Sequence, residues 1–96
     1  MIFNITQIKS VDIQKFIFMQ VSVKYFASLR ELMGESSRLF DIEEKSSVDD
    51  LWQQIKNKKN VNFENVMATV NMQYVKSNHQ LHDGDEVAFF PPVTGG

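Results

Sequence analysis

The chain closes on two glycines, Gly95 and Gly96, preceded by Pro91-Pro92-Val93-Thr94. The group this places at the very end is the α-carboxylate of Gly96, ionised at neutral pH because a free α-carboxyl titrates near ~3.5, and unreactive as an electrophile in that form. Activation by ATP to an acyl-adenylate would supply a leaving group. A sulfur nucleophile could then displace AMP and leave a terminal thiocarboxylate. The residues before Gly96 suit delivery of such a group. Proline fixes its own φ and disfavours the α conformation in the residue before it, so Pro91-Pro92 predicts an extended, polyproline-like exit. Six residues at roughly 3.3 Å each reach about 20 Å. Gly95 and Gly96 carry no Cβ and suit threading, with Thr94 and Val93, through a narrow channel.

The rest of the composition says what this group must do without. There is no cysteine, which removes disulfides, thiolate metal ligands and a cysteine nucleophile. Sulfur and its activation would have to come from other proteins, so the chain reads as a carrier and not as an enzyme by itself, with ATP used by the activating partner and no cofactor or metal held by the chain. His79 and His82 lack a third ligand and read as loop residues. Asp83, Asp85 and Glu86 lack the repeated oxygen ligands of a calcium loop and read as turn residues. Lys56, Lys58 and Lys59 are the only basic cluster, and without an aromatic platform they suit a solvated helix end. Ten basic and twelve acidic residues give a formal charge of -2, which offers no general attraction for nucleic acid or an anionic membrane. Polar residues break every apolar run from Met1 to Phe18, so neither a secretory nor a spanning segment is expected there, and the cytoplasm is the expected location.

The 96 residues suit one domain. Val21, Val23 and Tyr25 alternate with Ser22, Lys24 and Phe26, predicting a strand over 20–26. Ala27 to Met33 predicts a short helix stopped by Gly34, and Ser37 to Ile42 a second strand. Ser47 with Asp50 forms an acidic variant of the capping box. Val48, Leu51, Trp52 and Ile55 then give one apolar stripe to a helix that Asn60 ends. Met67–Asn71 and Gln73–Lys76 predict a tight hairpin. After the Asp83-Gly84 turn, Glu86–Phe90 predicts a last strand that Pro91 stops. The order is that of a mixed α+β domain. Residues 1–18 read as an N-terminal extension, with Met19 as an alternative start; the rival is a genuine extension with an extra edge strand from Asp12 to Met19. The expected organisation is thus extension 1–18, domain 19–90 and functional tail 91–96. Phe89 and Phe90 must point to opposite faces of their strand. One is expected in the core, and the other, with Pro91 and Pro92, in a partner interface.

The run from Leu81 through Asp83-Gly84-Asp85-Glu86-Val87-Ala88-Phe89-Phe90-Pro91-Pro92-Val93-Thr94-Gly95-Gly96 resembles the C-terminal signature of the molybdopterin synthase small subunits, sulfur carriers related to the thiamine carrier. Val21 to Gly34 is similar to the first strand and helix of that family, and Ala68-Thr69-Val70-Asn71 to its third strand, so the resemblance spans residues 19–96. It implies a β-grasp, ubiquitin-like fold in which a mixed sheet wraps one main helix. It also implies adenylation of Gly96 by a ubiquitin-activating-like adenylyltransferase, conversion to a thiocarboxylate (1-thioglycine), and insertion of the tail into the large catalytic subunit. There the sulfur would pass to cyclic pyranopterin monophosphate in molybdenum cofactor biosynthesis, within a heterotetramer of two small and two large subunits. Sulfur carriage for thiamine or tRNA thiolation, a ubiquitin-like modifier and a plain interaction module with an inert terminus stand as alternatives.

Overall fold

The alternation around Val21 produces strand β1 (Phe18–Tyr25), which buries Met19, Val21, Val23 and Tyr25 and turns its other face outward. The computed structural model describes residues 18–63 and 65–92. After β1 come α1 (Ser28–Met33), β2 (Ser37–Glu43), α2 (Val48–Lys59), β3 (Met67–Val70), β4 (Gln73–Val75) and β5 (Glu86–Phe90). The five strands form one sheet in the order β2-β1-β5-β3-β4. β1 runs parallel to β5, and every other neighbouring pair is antiparallel. The α+β expectation and the mixed sheet are both met. β1 begins two residues earlier than the alternation suggested, because Phe18 pairs with Glu43 and Met19 with Ile42. It ends one earlier, leaving Phe26 beyond the strand. The remaining expectations for residues 1–17, including most of an Asp12–Met19 edge strand, lie outside the described residues.

Helix α2 starts where its sequence requires. The Ser47 hydroxyl accepts from the Asp50 amide, and the Asp50 carboxylate accepts from the Ser47 amide, so two otherwise orphaned donors are satisfied reciprocally. Val48, Leu51, Trp52 and Ile55 are the buried residues of this helix. They close the core against Phe40, Ile42, Val87, Phe89, Ala68 and Val70 of the sheet, with Leu29 and Met33 of α1. Trp52 stacks obliquely on Phe89 at 4.9 Å, and its indole N–H donates to the Phe63 carbonyl, which ties the polar stretch after the helix to the core. Asn60 ends the helix in the left-handed region at φ 55°, a conformation that Asn tolerates better than most residues.

Two connections set the register of the strands that matter below. Asn71 and Met72 both have positive φ, 50° and 71°, as a two-residue hairpin loop between twisted strands demands. The Asn71 side chain then bridges to the last strand: its Oδ1 accepts from the Glu86 amide and its Nδ2 donates to Asp85, whose carboxylate also accepts from the His82 amide. Asp83 accepts from the Gln20 amide. The acidic residues near Gly84 are therefore turn-forming, as their spacing suggested. At the free edge of the sheet, Gln54 donates to the Asp41 carbonyl and Lys58 lies over the Phe40 ring at 5.9 Å, which screens β2 from pairing with another chain.

Candidate functional site

The tail leaves the domain at the end of β5, so the site begins with what surrounds Phe90. Strand alternation sends Phe89 inward, where it is wholly buried, and Phe90 outward, where it is half-buried. Phe89 is therefore removed from the expected interface and assigned to the core, under Trp52. Phe90 stays, and it is not alone. The ladder between β1 and β5 extends one step further, with the Phe26 amide donating to the Phe89 carbonyl at 3.1 Å. This places the Phe26 ring flat against Phe90, with centroids 4.7 Å apart and planes 7° from parallel. On the other side β3 pairs Met67 with Phe90 and β4 pairs Tyr74 with Thr69. Tyr74 therefore reaches Phe90 at 6.3 Å. Phe26 is 40% exposed and Tyr74 69%.

Three aromatic rings on the outward face of the sheet thus converge beside Pro91 and Pro92, which are themselves half-buried. Sequence reasoning expected Phe90 and the prolines in one surface and did not include Phe26 and Tyr74, which the structure places beside them. The outward position of Phe26 was already visible in its alternation with Tyr25. Its approach to Phe90 depends on the parallel β1–β5 pairing, which local pattern cannot reveal.

The turn that follows Phe26 is unusual. Ala27 has φ 55° and ψ -132°, a region costly for a residue with a Cβ, on the order of 1–3 kcal/mol. It folds α1 back at once, with Leu29 and Arg30 amides donating to the Phe26 and Ala27 carbonyls. Gly34 then stops α1 at φ 73°, a conformation that an L side chain would strain. Beyond it Glu35 accepts both prongs of the Arg38 guanidinium and pairs with Lys59 at 3.4 Å. The Arg38 hydrogen bonds, reinforced by Lys59, hold the Glu35 carboxyl below its usual range against a smaller opposing effect of burial. Lys58 and Lys59 are thus engaged within the domain, in keeping with a solvated helix end.

No catalytic constellation exists among the described residues. No group of three or more potential metal-ligating side chains occurs there. His79 and His82 sit in the loop before β5, and the His79 carbonyl accepts from the first amide of α2. A groove of about 550 Å³ between α2 and the β3–β4 hairpin is lined by Trp52, Val66 and Tyr74 with Asp49 as its one acidic group, and it contains no base or nucleophile pair. No helix among the described residues is long and apolar enough to cross a membrane. Val93, Thr94, Gly95 and Gly96 lie outside the described residues. What the described surface offers is an exposed aromatic face where the chain leaves β5.

A mixed sheet of this order packed on one main helix is a ubiquitin-like β-grasp. The structure of a Caldiarchaeum subterraneum ubiquitin, 14% identical, covers 83% of this chain and 100% of its own with a TM-score of 0.60, a likeness of fold alone. The chain belongs to the ThiS family, whose model matches residues 23–96 and so includes the two terminal glycines. A molybdopterin synthase sulfur carrier subunit of Chlamydomonas reinhardtii is 37% identical over 84 residues, 81% of this chain and all of that one. A Pyrococcus furiosus protein provisionally assigned as molybdopterin converting factor, subunit 1, is 35% identical, with a TM-score of 0.67 over 78% of this chain and 99% of its own.

Proposed function

We propose that this chain is the sulfur carrier subunit of molybdopterin synthase, with the Gly96 carboxylate as its working group. In the first step a carboxylate oxygen attacks the α-phosphorus of ATP on a ubiquitin-activating-like adenylyltransferase, and pyrophosphate leaves. Hydrosulfide, or a sulfur donor equivalent to it, then attacks the acyl carbon, AMP leaves with the bonding pair, and loss of the S–H proton leaves the terminus as a thiocarboxylate. The tail next enters the large subunit, where the thiocarboxylate sulfur adds at an oxygen-bearing carbon of cyclic pyranopterin monophosphate with loss of water. A second water then cleaves the acyl–sulfur bond, which leaves the sulfur on the pterin and returns Gly96 as a carboxylate. All of this takes place in the cytoplasm, and the chain supplies no cofactor of its own. Catalytic groups belong to the two partners.

The observation that carries this reading is the exposed aromatic face of Phe26, Tyr74 and Phe90 at the root of the tail. A partner that covers this face has the chain exit, through Pro91 and Pro92, directed into its own surface, and the short reach of the tail is then sufficient. The family membership and the identity to a named sulfur carrier subunit support the same assignment. A modifier joined to lysines would use the same adenylate, so the fate of the terminus decides between them.

Intact mass spectrometry of the protein from its own cells, with and without the activating enzyme, tests the first half. The expected result is a species heavier by one oxygen-to-sulfur exchange, located at Gly96 and dependent on that enzyme. A terminus unmodified under both conditions would overturn the proposal. Reaction of the charged chain with the large subunit and cyclic pyranopterin monophosphate tests the second half, since carriers for thiamine or tRNA would charge without yielding molybdopterin.

A further inference from the structure

The aromatic face is too small to hold a subunit interface by itself. If a large aromatic side chain presents roughly 200 Å², the open parts of Phe26 and Tyr74 plus the lesser part of Phe90 amount to roughly 300 Å² at most. A stable interface buries about 800 Å² per partner. An interface with the large subunit, if the function proposed above is right, must therefore extend onto adjoining ground. Next to Phe26 that ground is a surface depression of about 240 Å³, lined by Phe26 itself with Arg30, Ser36, Ser37 and Lys24.

The charges in and around this depression are not equivalent. Lys24 is paired with Glu86 at 3.3 Å, while Arg38 and Lys59 are taken up by Glu35. Arg30 makes no ion pair or side-chain hydrogen bond among the described residues. The Ala27 turn fixes its place, because the Arg30 amide bonds back to the Ala27 carbonyl and holds the first turn of α1 against Phe26. As the third residue of a six-residue helix it has at best a weak helix-dipole role. An unpaired guanidinium flanked by two serines has five donors in a fork that matches a carboxylate. Arginine is also a residue enriched at interface centres.

We propose that Arg30, with Ser36 and Ser37, forms a carboxylate-binding site that receives an Asp or Glu side chain of the large subunit, alongside the aromatic face. The aromatic rings supply area, and the Arg30 site supplies orientation by fixing the rotation of the domain about the tail. This rests on the sulfur-carrier reading, and its failure is separable from that of the parent proposal.

The experiment measures binding of the full chain to the large subunit across a salt series, for wild type, Arg30→Glu, Arg30→Gln and Arg30→Lys, with sulfur transfer from the charged chain as a second readout. Arg30→Glu should weaken binding at least about tenfold at low salt and flatten its salt dependence, with Arg30→Gln intermediate and Arg30→Lys, which keeps charge but not the fork, closest to wild type. Thermal melts within a few degrees of wild type would assign the loss to the interface, and the exposed Gln and Lys variants keep the test open should the Glu variant fold poorly. If wild type binds and transfers sulfur while all three variants match it in affinity and salt slope, the Arg30 site is refuted and the carrier function stands. If wild type neither binds the large subunit nor yields product, the carrier reading falls and this inference with it.

Discussion

Tyr74 offers the cleanest separation of docking from folding. It lies on the short strand β4 and is 69% exposed, so of roughly 200 Å² that such a side chain presents, about 60 Å² is engaged within the domain and about 140 Å² is open. At about 25 cal/mol per Å², Tyr74→Ala should cost about 1.5 kcal/mol of stability. The same coefficient gives about 3.5 kcal/mol of docking energy if a partner covers the whole open area, and about half that if it covers one side of the ring. In affinity this is a loss of roughly 20-fold to 300-fold. Titration calorimetry against the large subunit, at a temperature where circular dichroism shows the variant folded, measures it directly. Tyr74→Phe keeps the ring and should remain within a few-fold of wild type. A folded Tyr74→Ala that binds within about threefold of wild type would refute the claim that this face docks, since no arrangement covering Tyr74 could lose so little.

The fold makes three further predictions. Ser47→Ala removes one arm of a capping box whose two bonds are both formed, and a denaturant titration should show a loss of about 1 kcal/mol. Ala27→Gly relieves a positive φ that alanine tolerates poorly, and should raise the melting temperature by several degrees despite the added chain entropy; a lower melting temperature would contradict the assignment of strain there. The Tyr25 hydroxyl is buried without a partner among the described residues, and burial first, then the Glu35 charge, pushes its pKa from 10.0 to about 12. Because the folded form holds this proton more tightly than the unfolded chain, stability is complete below pH ~10 and falls as pH rises towards ~12, by at most about 3 kcal/mol. Tyr25→Phe should abolish that alkaline loss and be neutral or slightly stabilising at pH ~7.

Those features legible in the sequence were the ones written in local pattern. The Ser47–Asp50 cap, the stripe from Val48 to Ile55, Gly34 after α1 and the turn before β5 each follow from short-range rules, and each is present. Phe18 and Met19 were harder to place. Phe18 faces outward at 58% exposure and joins β1 only through its pairing with Glu43, a partner 25 positions away by residue number. The positive φ of Ala27 and Met72 carries no local signature either, since alanine and methionine are not residues that seek it. Tertiary pairing on both sides of each turn imposes it.

The candidate site divides along the same line. Gly96 and the proline exit are expectations read from residue type and order, and Val93 to Gly96 lie outside the described residues. The face beside Pro91 could not be read that way, because Phe26, Tyr74 and Phe90 are brought together by three strands that pair across the sheet. The backbone of β5 that sets Phe90 among these rings also sets the direction in which Pro91 leaves the sheet. Shifting β5 by one residue would bury Phe90, expose Phe89 and turn the Pro91 exit over with them. The Asn71 bridge to Asp85 and Glu86 therefore helps to hold Phe90 and Pro91 in register. Asn71→Ala should weaken docking as well as stability, whereas a cap change such as Ser47→Ala should affect stability alone.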